Sequence, residues 1–181
     1  MKVISGSLKG RNIKGHDIEG TRPTMDRVKE SLFAMIQNYI DDSVVLDLFA
    51  GSGNLGIEAL SNGAKYCYFN DINKKCTKVI EENISNFGIE DKAKVICNDY
   101  KETLTYFKNN DIRFDLVFLD PPYKIDVTEE IVETMDKYNL LNPNALVVIE
   151  KESNRLPLID GFDLIKNKKY GDKYIFIINR L

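Results

Sequence analysis

From Val44 to Glu150, short apolar runs alternate with segments whose apolar residues recur at helical spacing. Strands separated by helices cannot pair as simple hairpins. They need crossover connections, which set the strands parallel and cover both faces of the sheet with helices. The spacing predicts strands over Val44–Leu48, Tyr66–Asn70, Lys94–Cys97, Phe114–Leu119 and Ala145–Glu150. It predicts helices over Leu55–Ser61, from the cap Asn73 to Phe87 with Gly88 at C′, and over residues 100–109. A last helix runs to about Tyr138, with Asp126 and Glu129 as its capping box. The end of the chain breaks the alternation: Asp163–Lys169 and Tyr174–Asn179 flank Tyr170-Gly171-Asp172-Lys173, a hairpin signal that gives the sheet an antiparallel close. At the start, residues 2–14 alternate around Gly6 and Gly10 as a short hairpin. Residues 25–40 place Met25, Val28, Leu32, Met35, Ile36 and Tyr39 at helical spacing, with Thr24 as N-cap and Asp26 in the first turn.

The chain's 181 residues suffice for one domain with a sizeable core. The expected division is a basic arm over residues 1–24, a leading helix over 25–40 and a core over 44–181. No apolar run reaches membrane-spanning length, and Met1-Lys2-Val3-Ile4-Ser5-Gly6 has no signal-peptide character, so a soluble cytoplasmic protein is expected. Cys67, Cys76 and Cys97 lack metal-ligand spacing and the chain has one histidine, so no metal site is expected and the thiols read as reduced and mostly buried. The net charge of −3 argues against a nucleic-acid partner, but its distribution argues for one. Residues 1–29 hold seven Lys/Arg against Asp17, Glu19 and Asp26, a balance of +4, which leaves −7 for the rest. A basic arm on an acidic body suits phosphate contacts, with Lys9, Arg11, Lys14, Arg22 and Arg27 as candidates; a merely solvated segment would carry the same charge.

The chemistry concentrates at the ends of the strands. Asp47-Leu48-Phe49-Ala50-Gly51-Ser52-Gly53-Asn54-Leu55-Gly56 leaves the first strand and enters a helix. Gly51, Gly53 and Gly56 satisfy G-x-G-x-x-G, which fits a dinucleotide-dependent oxidoreductase as well as other nucleotide binders. Asp71 ends the second strand where an acid can accept from ribose hydroxyls; it could equally cap the following turn. Asp99 ends the third strand, where it and Tyr100 could meet an adenine amine, or where Asp99 could simply cap the next helix. Asp120-Pro121-Pro122-Tyr123 ends the fourth. Two prolines without N–H groups forbid further strand and force a rigid exit, with an acid, fixed carbonyls and an aromatic ring at its mouth. Three acids at the carboxyl ends of consecutive strands line the edge where open α/β sheets bind ligands.

This order of motifs over residues 44–123 resembles class I S-adenosylmethionine-dependent methyltransferases, and Asp-Pro-Pro-Tyr resembles the motif of enzymes methylating nucleobase amines. Ile4-Ser5-Gly6, Lys9-Gly10-Arg11 and Thr21-Arg22-Pro23-Thr24-x-Asp26-Arg27-Val28-Lys29 are similar to the opening of RsmD-type 16S rRNA guanine-N2 methyltransferases. The resemblance implies a Rossmann-like, seven-stranded, mostly parallel sheet with a C-terminal antiparallel hairpin. It implies S-adenosyl-L-methionine as cofactor, with Phe49, Ala50, Gly51 and Gly53 about its methionine part, Asp71 at the ribose, Asp99 with Tyr100 at the adenine, and Asp47 and Ile72 also among the cofactor-binding residues. Asp120, Pro121, Pro122 and Tyr123 would hold a guanine of small-subunit ribosomal RNA, within an assembling or assembled 30S particle, on a monomeric enzyme. Asp120 and the Pro121 carbonyl would accept the two amine hydrogens and Tyr123 would stack on the base, since prior deprotonation of the amine by a carboxylate of normal pKa is implausible. Other readings are an adenine-amine methyltransferase, the dinucleotide-dependent oxidoreductase, which leaves Asp-Pro-Pro-Tyr without a role, and a non-catalytic RNA-binding assembly factor.

Overall fold

The computed structural model of the chain describes residues 1–15, 22–122, 126–155 and 159–181, the side chains of residues 22–25 excepted. Its elements are α1 (Arg22–Ile36), β1 (Val44–Asp47), α2 (Asn54–Ser61), β2 (Tyr66–Asn70), α3 (Lys74–Phe87), β3 (Ala93–Ile96), α4 (Tyr100–Asn109), β4 (Phe114–Leu119), α5 (Thr128–Lys137), β5 (Leu141–Lys151), β6 (Phe162–Tyr170) and β7 (Lys173–Arg180). The strands form a seven-stranded sheet in the order β3-β2-β1-β4-β5-β7-β6. The first five run parallel, and β7 pairs antiparallel with both β5 and β6. After β1 the chain builds outward to β2 and β3, then returns to place β4 on the other side of β1. That reversal opens a crevice at the carboxyl ends of β1 and β4.

Alternate side chains of the strands feed two cores. On one face Val45, Cys67, Phe69, Leu116, Phe118 and Val148 pack against the N-terminal segment, α1, α2 and α3. On the other, Leu46, Val117, Leu119, Val147 and Ile149 meet Leu104 and Phe107 of α4 and Ile131, Val132 and Met135 of α5. The predicted caps of α3 form: Asn73 accepts from Lys75 N, and Gly88 adopts φ 66 at the C-terminus. The terminal hairpin forms with Tyr170 opposite Lys173, so Gly171-Asp172 is a two-residue turn, and Gly171 takes φ 58.

Several boundaries differ from expectation. The helix expected over 25–40 begins at Arg22, so Thr24 lies inside it, and it tightens into a 3-10 turn over Gln37–Tyr39. Pro23 accounts for the early start, because a first-turn residue has no intrahelical N–H bond to lose. The capping box of Asp126 and Glu129 does not form. α5 starts at Thr128, and Asp126 Oδ1 accepts from Thr128 Oγ1 at 2.6 Å. The reason is Lys151, 7% exposed, whose Nζ lies 2.8 Å from Asp126 Oδ2 and holds that carboxyl below the usual carboxylate range together with the Thr128 bonds. β5 starts at Leu141 rather than Ala145; an irregular register between Phe114 and Leu116 on β4 lets Pro143 and Asn144 into the strand. The first strand ends at Asp47, β3 spans Ala93–Ile96, and the hairpin expected over residues 2–14 carries a single bridge, Lys2 to Asn12. Of the cysteines, Cys67 and Cys76 are buried and Cys97 is exposed.

Candidate active site

The glycine turn leaves β1 tied to both neighbouring strands. Leu48 N donates to Phe118 O at 3.3 Å and Ala50 N to Asn70 O at 2.9 Å, which anchors the turn to β4 and β2. Gly51 (φ 57) and Gly53 (φ 80) both take the left-handed conformation that a side chain resists. A Cβ on Gly51 would meet nothing within 4 Å, so this backbone is open to a ligand. Gly56 serves packing instead. Its Cβ would fall 2.2 Å from Phe69 Cε1, so the lack of one lets α2 pack on β2. The turn is also held from beneath, because Asn83, 1% exposed, donates to both Ser52 O (3.1 Å) and Lys14 O (2.9 Å) and accepts from Lys14 N (2.9 Å).

Both local roles foreseen for the acids after β2 and β3 exist. Asp71 Oδ1 accepts from Asn73 N at 2.8 Å, and Asp99 caps α4 by accepting from Lys101 N at 2.8 Å. Neither role exhausts a carboxylate, which offers about four lone-pair directions. Asp71 Oδ2 reaches into the glycine turn and accepts from Gly51 N at 2.9 Å. Buried Asn70 locks the surrounding loops, donating to Leu48 O (3.1 Å) and Asn98 O (3.2 Å) and accepting from Thr103 Oγ1 (2.8 Å). Between these acids Ile72 is 71% exposed, and the Phe49 and Tyr100 rings lie 5.9 Å apart at 51°. Apolar surface flanked by carboxylates suits a flat, partly polar ligand such as an adenosine.

Asp47 and Asp120 carry the unusual electrostatics. Burial pushes the Asp47 carboxyl up to about 7; the Gly56 N–H at 3.0 Å partly offsets this, while the nearby charges of Asp120 and Asp71 add to it. Burial likewise pushes Asp120 up to about 7, with Glu150 raising it further and Lys173 lowering it. Lys173 and Glu150 form an ion pair beside it. Buried Asp47 therefore lies close enough to Asp120 and Asp71 for their charges to raise it further. Pro121 is buried and Pro122 exposed at the rim; Tyr123 lies outside the described residues. Asp120 is thus not an ordinary carboxylate, because its carboxyl sits buried beside a second acid.

Part of the basic arm is tied to the fold. The Arg11 guanidinium lies 4.6 Å from the Phe87 ring centroid and donates to Phe87 O and Asn86 O, closing the C-terminus of α3. Lys14 pairs with Glu82 at 3.1 Å. Lys29, counted among the arm's charges, is buried; its Nζ lies 2.8 Å from Glu58 Oε2 and donates to Lys2 O and Asn54 Oδ1, each at 2.7 Å. Glu58 in turn accepts from Ile4 N and Ser5 N at 2.9–3.1 Å. Lys9 and Arg27 are exposed, and the side chain of Arg22 lies outside the described residues. Sequence reasoning missed the Lys29–Glu58 pair, the Asn83 tie and the Glu150–Lys173 pair. A signal existed for one: Glu58 is the one charged residue in Asn54–Ser61.

Known proteins share this architecture over nearly the whole chain. The profile of a family described as conserved hypothetical protein 95 matches residues 1–179. The chain is 41% identical over 174 residues to the Bacillus subtilis protein named "Putative rRNA methyltransferase YlbH", covering 94% of each. It is 37% identical to ribosomal RNA small subunit methyltransferase D of Haemophilus influenzae, over 94% of this chain and 89% of that one. Among solved structures, Escherichia coli "Putative methyltransferase yhhF" superposes with a TM-score of 0.87 at 28% identity, over 99% of this chain and 97% of the other.

Proposed function

The chain belongs to the RsmD-type family described as conserved hypothetical protein 95, and from that premise we propose that it transfers a methyl group from S-adenosylmethionine to the exocyclic N2 amine of a guanine in small-subunit ribosomal RNA. The observation that carries the reading is the crevice itself, where the open backbone of Gly51 is held by Asp71 and lies over buried Asp47, whose carboxyl feels the charges of Asp71 and Asp120. A cluster of three carboxylates beside exposed Ile72 fits a ligand that joins an adenosine to a positive centre. A dinucleotide would leave the Asp120-Pro121-Pro122 corner without a role.

S-adenosylmethionine, when bound, supplies a methyl group activated by a sulfonium. The Gly51–Gly53 backbone with Phe49 and Ala50 would line its amino-acid end and Asp47 would stiffen the turn through Gly56 N. Asp71 would take the ribose hydroxyls, and Asp99, Tyr100 and Ile72 the adenine. Asp120 and the Pro121 carbonyl would accept the two hydrogens of the guanine amine, which aims the nitrogen lone pair, and Tyr123 would stack on the base. As the nitrogen commits its lone pair to the new bond it turns positive and strongly acidic. Asp120, with its carboxyl pushed up to about 7, is a better acceptor for the departing proton than an ordinary carboxylate. The target base must leave its stack to reach this corner, so a guanine in a loop or bulge of an assembling or assembled small subunit is the proposed substrate, met by a monomer in the cytoplasm. No helix among the described residues is long and apolar enough to cross a membrane.

The test separates binding from transfer. Calorimetric titration with S-adenosylmethionine and with NAD, on wild type and Asp120→Ala, is paired with label incorporation into small-subunit RNA. The reading expects S-adenosylmethionine binding by both proteins, none of NAD, and methyl incorporation by wild type alone. Loss of cofactor binding and transfer together in Asp120→Ala contradicts the division of roles.

A further inference from the structure

β6 is unusual for a strand in such a sheet. Residues 163–169 are all exposed and its two end residues are half-buried, so no residue of β6 is buried. Residues 166–173 hold Lys166, Lys168, Lys169 and Lys173 against Asp172, a balance of +3 inside a chain of net charge −3. The lysines flank the strand on both faces. Lys166 and Lys168 lie opposite Ile177 and Ile175, on the side of the sheet packed by α1, while Lys169 lies opposite Tyr174 on the other side. Lysine on an edge strand discourages pairing with another chain, but that effect is indifferent to position along the strand. Here the position is specific. Ile175 and Tyr174 pair onward with Glu150 and Lys151 of β5, so Lys168 and Lys169 stand level with the carboxyl end of the sheet, at the same edge as Asp120.

α1 extends this strip. Ser31 Oγ accepts from Lys168 Nζ at 2.9 Å and from Tyr170 OH at 2.6 Å. Exposed Arg27 lies one helical turn before Ser31 on the same helix face. The Lys168 ammonium sits 5.1 Å from the Tyr170 ring centroid and that of Lys169 5.4 Å from Tyr174. Basic and aromatic groups thus run together from α1 to the catalytic edge, whereas Arg11 and Lys14 of the N-terminal arm and Lys29 of α1 are engaged within the fold.

We infer that Arg27 of α1 and Lys166, Lys168 and Lys169 of β6 form an RNA-docking surface that takes the phosphate backbone flanking the target guanine. The inference rests on the methyl-transfer reading above and says which face of the protein meets the RNA. A polyanion fits the β6 part of this strip, where the acids Asp163 and Asp172 flank the three lysines; on α1, Asp26 and exposed Glu30 stand beside Arg27.

The test compares two charge reversals of equal size. One is Lys166→Glu/Lys168→Glu/Lys169→Glu. The control, Lys65→Glu/Lys92→Glu/Arg113→Glu, changes exposed residues that precede β2, β3 and β4 at the opposite edge of the sheet. Binding to isolated small ribosomal subunits is measured from 50 to 200 mM salt, roughly the range over which phosphate contacts show. The β6 variant is expected to bind at least ~10-fold more weakly. Its salt slope falls by about 2, three contacts at about 0.7 each, so the fourfold salt increase weakens it about 16-fold less than wild type. Its S-adenosylmethionine affinity stays at the wild-type level, and the control binds RNA as wild type does. Lys166→Gln/Lys169→Gln, which keeps the Lys168–Ser31 bond, guards against misfolding and lowers the slope by about 1.4. Equal behaviour of the β6 variant and the control overturns the inference, as does sedimentation showing a wild-type dimer that the β6 variant dissolves, which would assign the strand to a second copy. Wild-type methylation with unchanged binding by the β6 variant sinks this inference alone; failure of wild type to bind small-subunit RNA sinks the functional reading with it.

Discussion

Replacing Asp47 by asparagine separates the charge of the buried acid from its shape. The amide oxygen can still accept from Gly56 N, so the turn keeps its tie. What changes is titration. Asp47 has its pKa raised from 3.8 to about 7 in the folded chain. The folded state therefore holds a proton that the unfolded chain gives up across that window, and stability falls as pH rises through it and levels off above about 7. The full gap corresponds to about 4 kcal/mol at 1.36 kcal/mol per pH unit, of which about 3 kcal/mol falls between pH 5 and pH 8. Asparagine does not titrate. Whatever fixed cost its NH2 group brings, the stability of Asp47→Asn relative to wild type should improve by about 3 kcal/mol from pH 5 to pH 8. For a chain of this size each kcal/mol moves the melting temperature by about 2–4 °C, so the difference in Tm should swing by about 6–12 °C in favour of the variant. Calorimetric or fluorescence melting of the ligand-free proteins at the two pH values reads it. An equal Tm difference at pH 5 and pH 8 would mean that Asp47 is ionised throughout, and would refute the claim that burial governs the acids of this crevice.

The same electrostatics predict that kcat for methyl transfer rises with slope one in log units up to about pH 7 and then levels, since only the ionised Asp120 accepts the amine hydrogens; a flat profile from pH 5.5 to 8 contradicts this. Lys29→Met strands the Glu58 carboxylate inside the protein and should destabilise it by about 3–5 kcal/mol, read as a Tm drop of roughly 10 °C, with a drop under 2 °C as the contrary result. Asn83→Ala leaves Ser52 O and Lys14 O without their side-chain donor and should weaken S-adenosylmethionine binding by about 5- to 100-fold, corresponding to about 1–3 kcal/mol; unchanged affinity would show that the glycine turn stands without that tie.

The parallel core was legible because a strand buried on both faces must be a continuous apolar run, and Asn73 and Gly88 marked the ends of α3 by residue type alone. The three acids were legible as positions, since each closes an apolar run. The charge state of Asp120 was not, because it is set first by burial and then by Glu150 and Lys173, thirty and more residues away. The same distance hid the capping error at α5, where Lys151 competes for Asp126, and hid the start of β5, whose Pro143 and Asn144 read as a turn until the irregular pairing with β4 is known. The arm misled for a related reason. Charge counted along the sequence treats Lys29 and Arg27 alike, yet Lys29 is 3% exposed against Glu58 while Arg27 faces solvent.

A transfer assay bears on the central claim most directly. Small ribosomal subunits from cells lacking this chain are incubated with the protein and methyl-labelled S-adenosylmethionine, and their RNA is digested to nucleosides for mass spectrometry. The account predicts label in N2-methylguanosine from the small-subunit RNA, absent when Asp120→Ala replaces wild type. Label confined to methyladenosine or to large-subunit RNA, or none in any RNA, would contradict it.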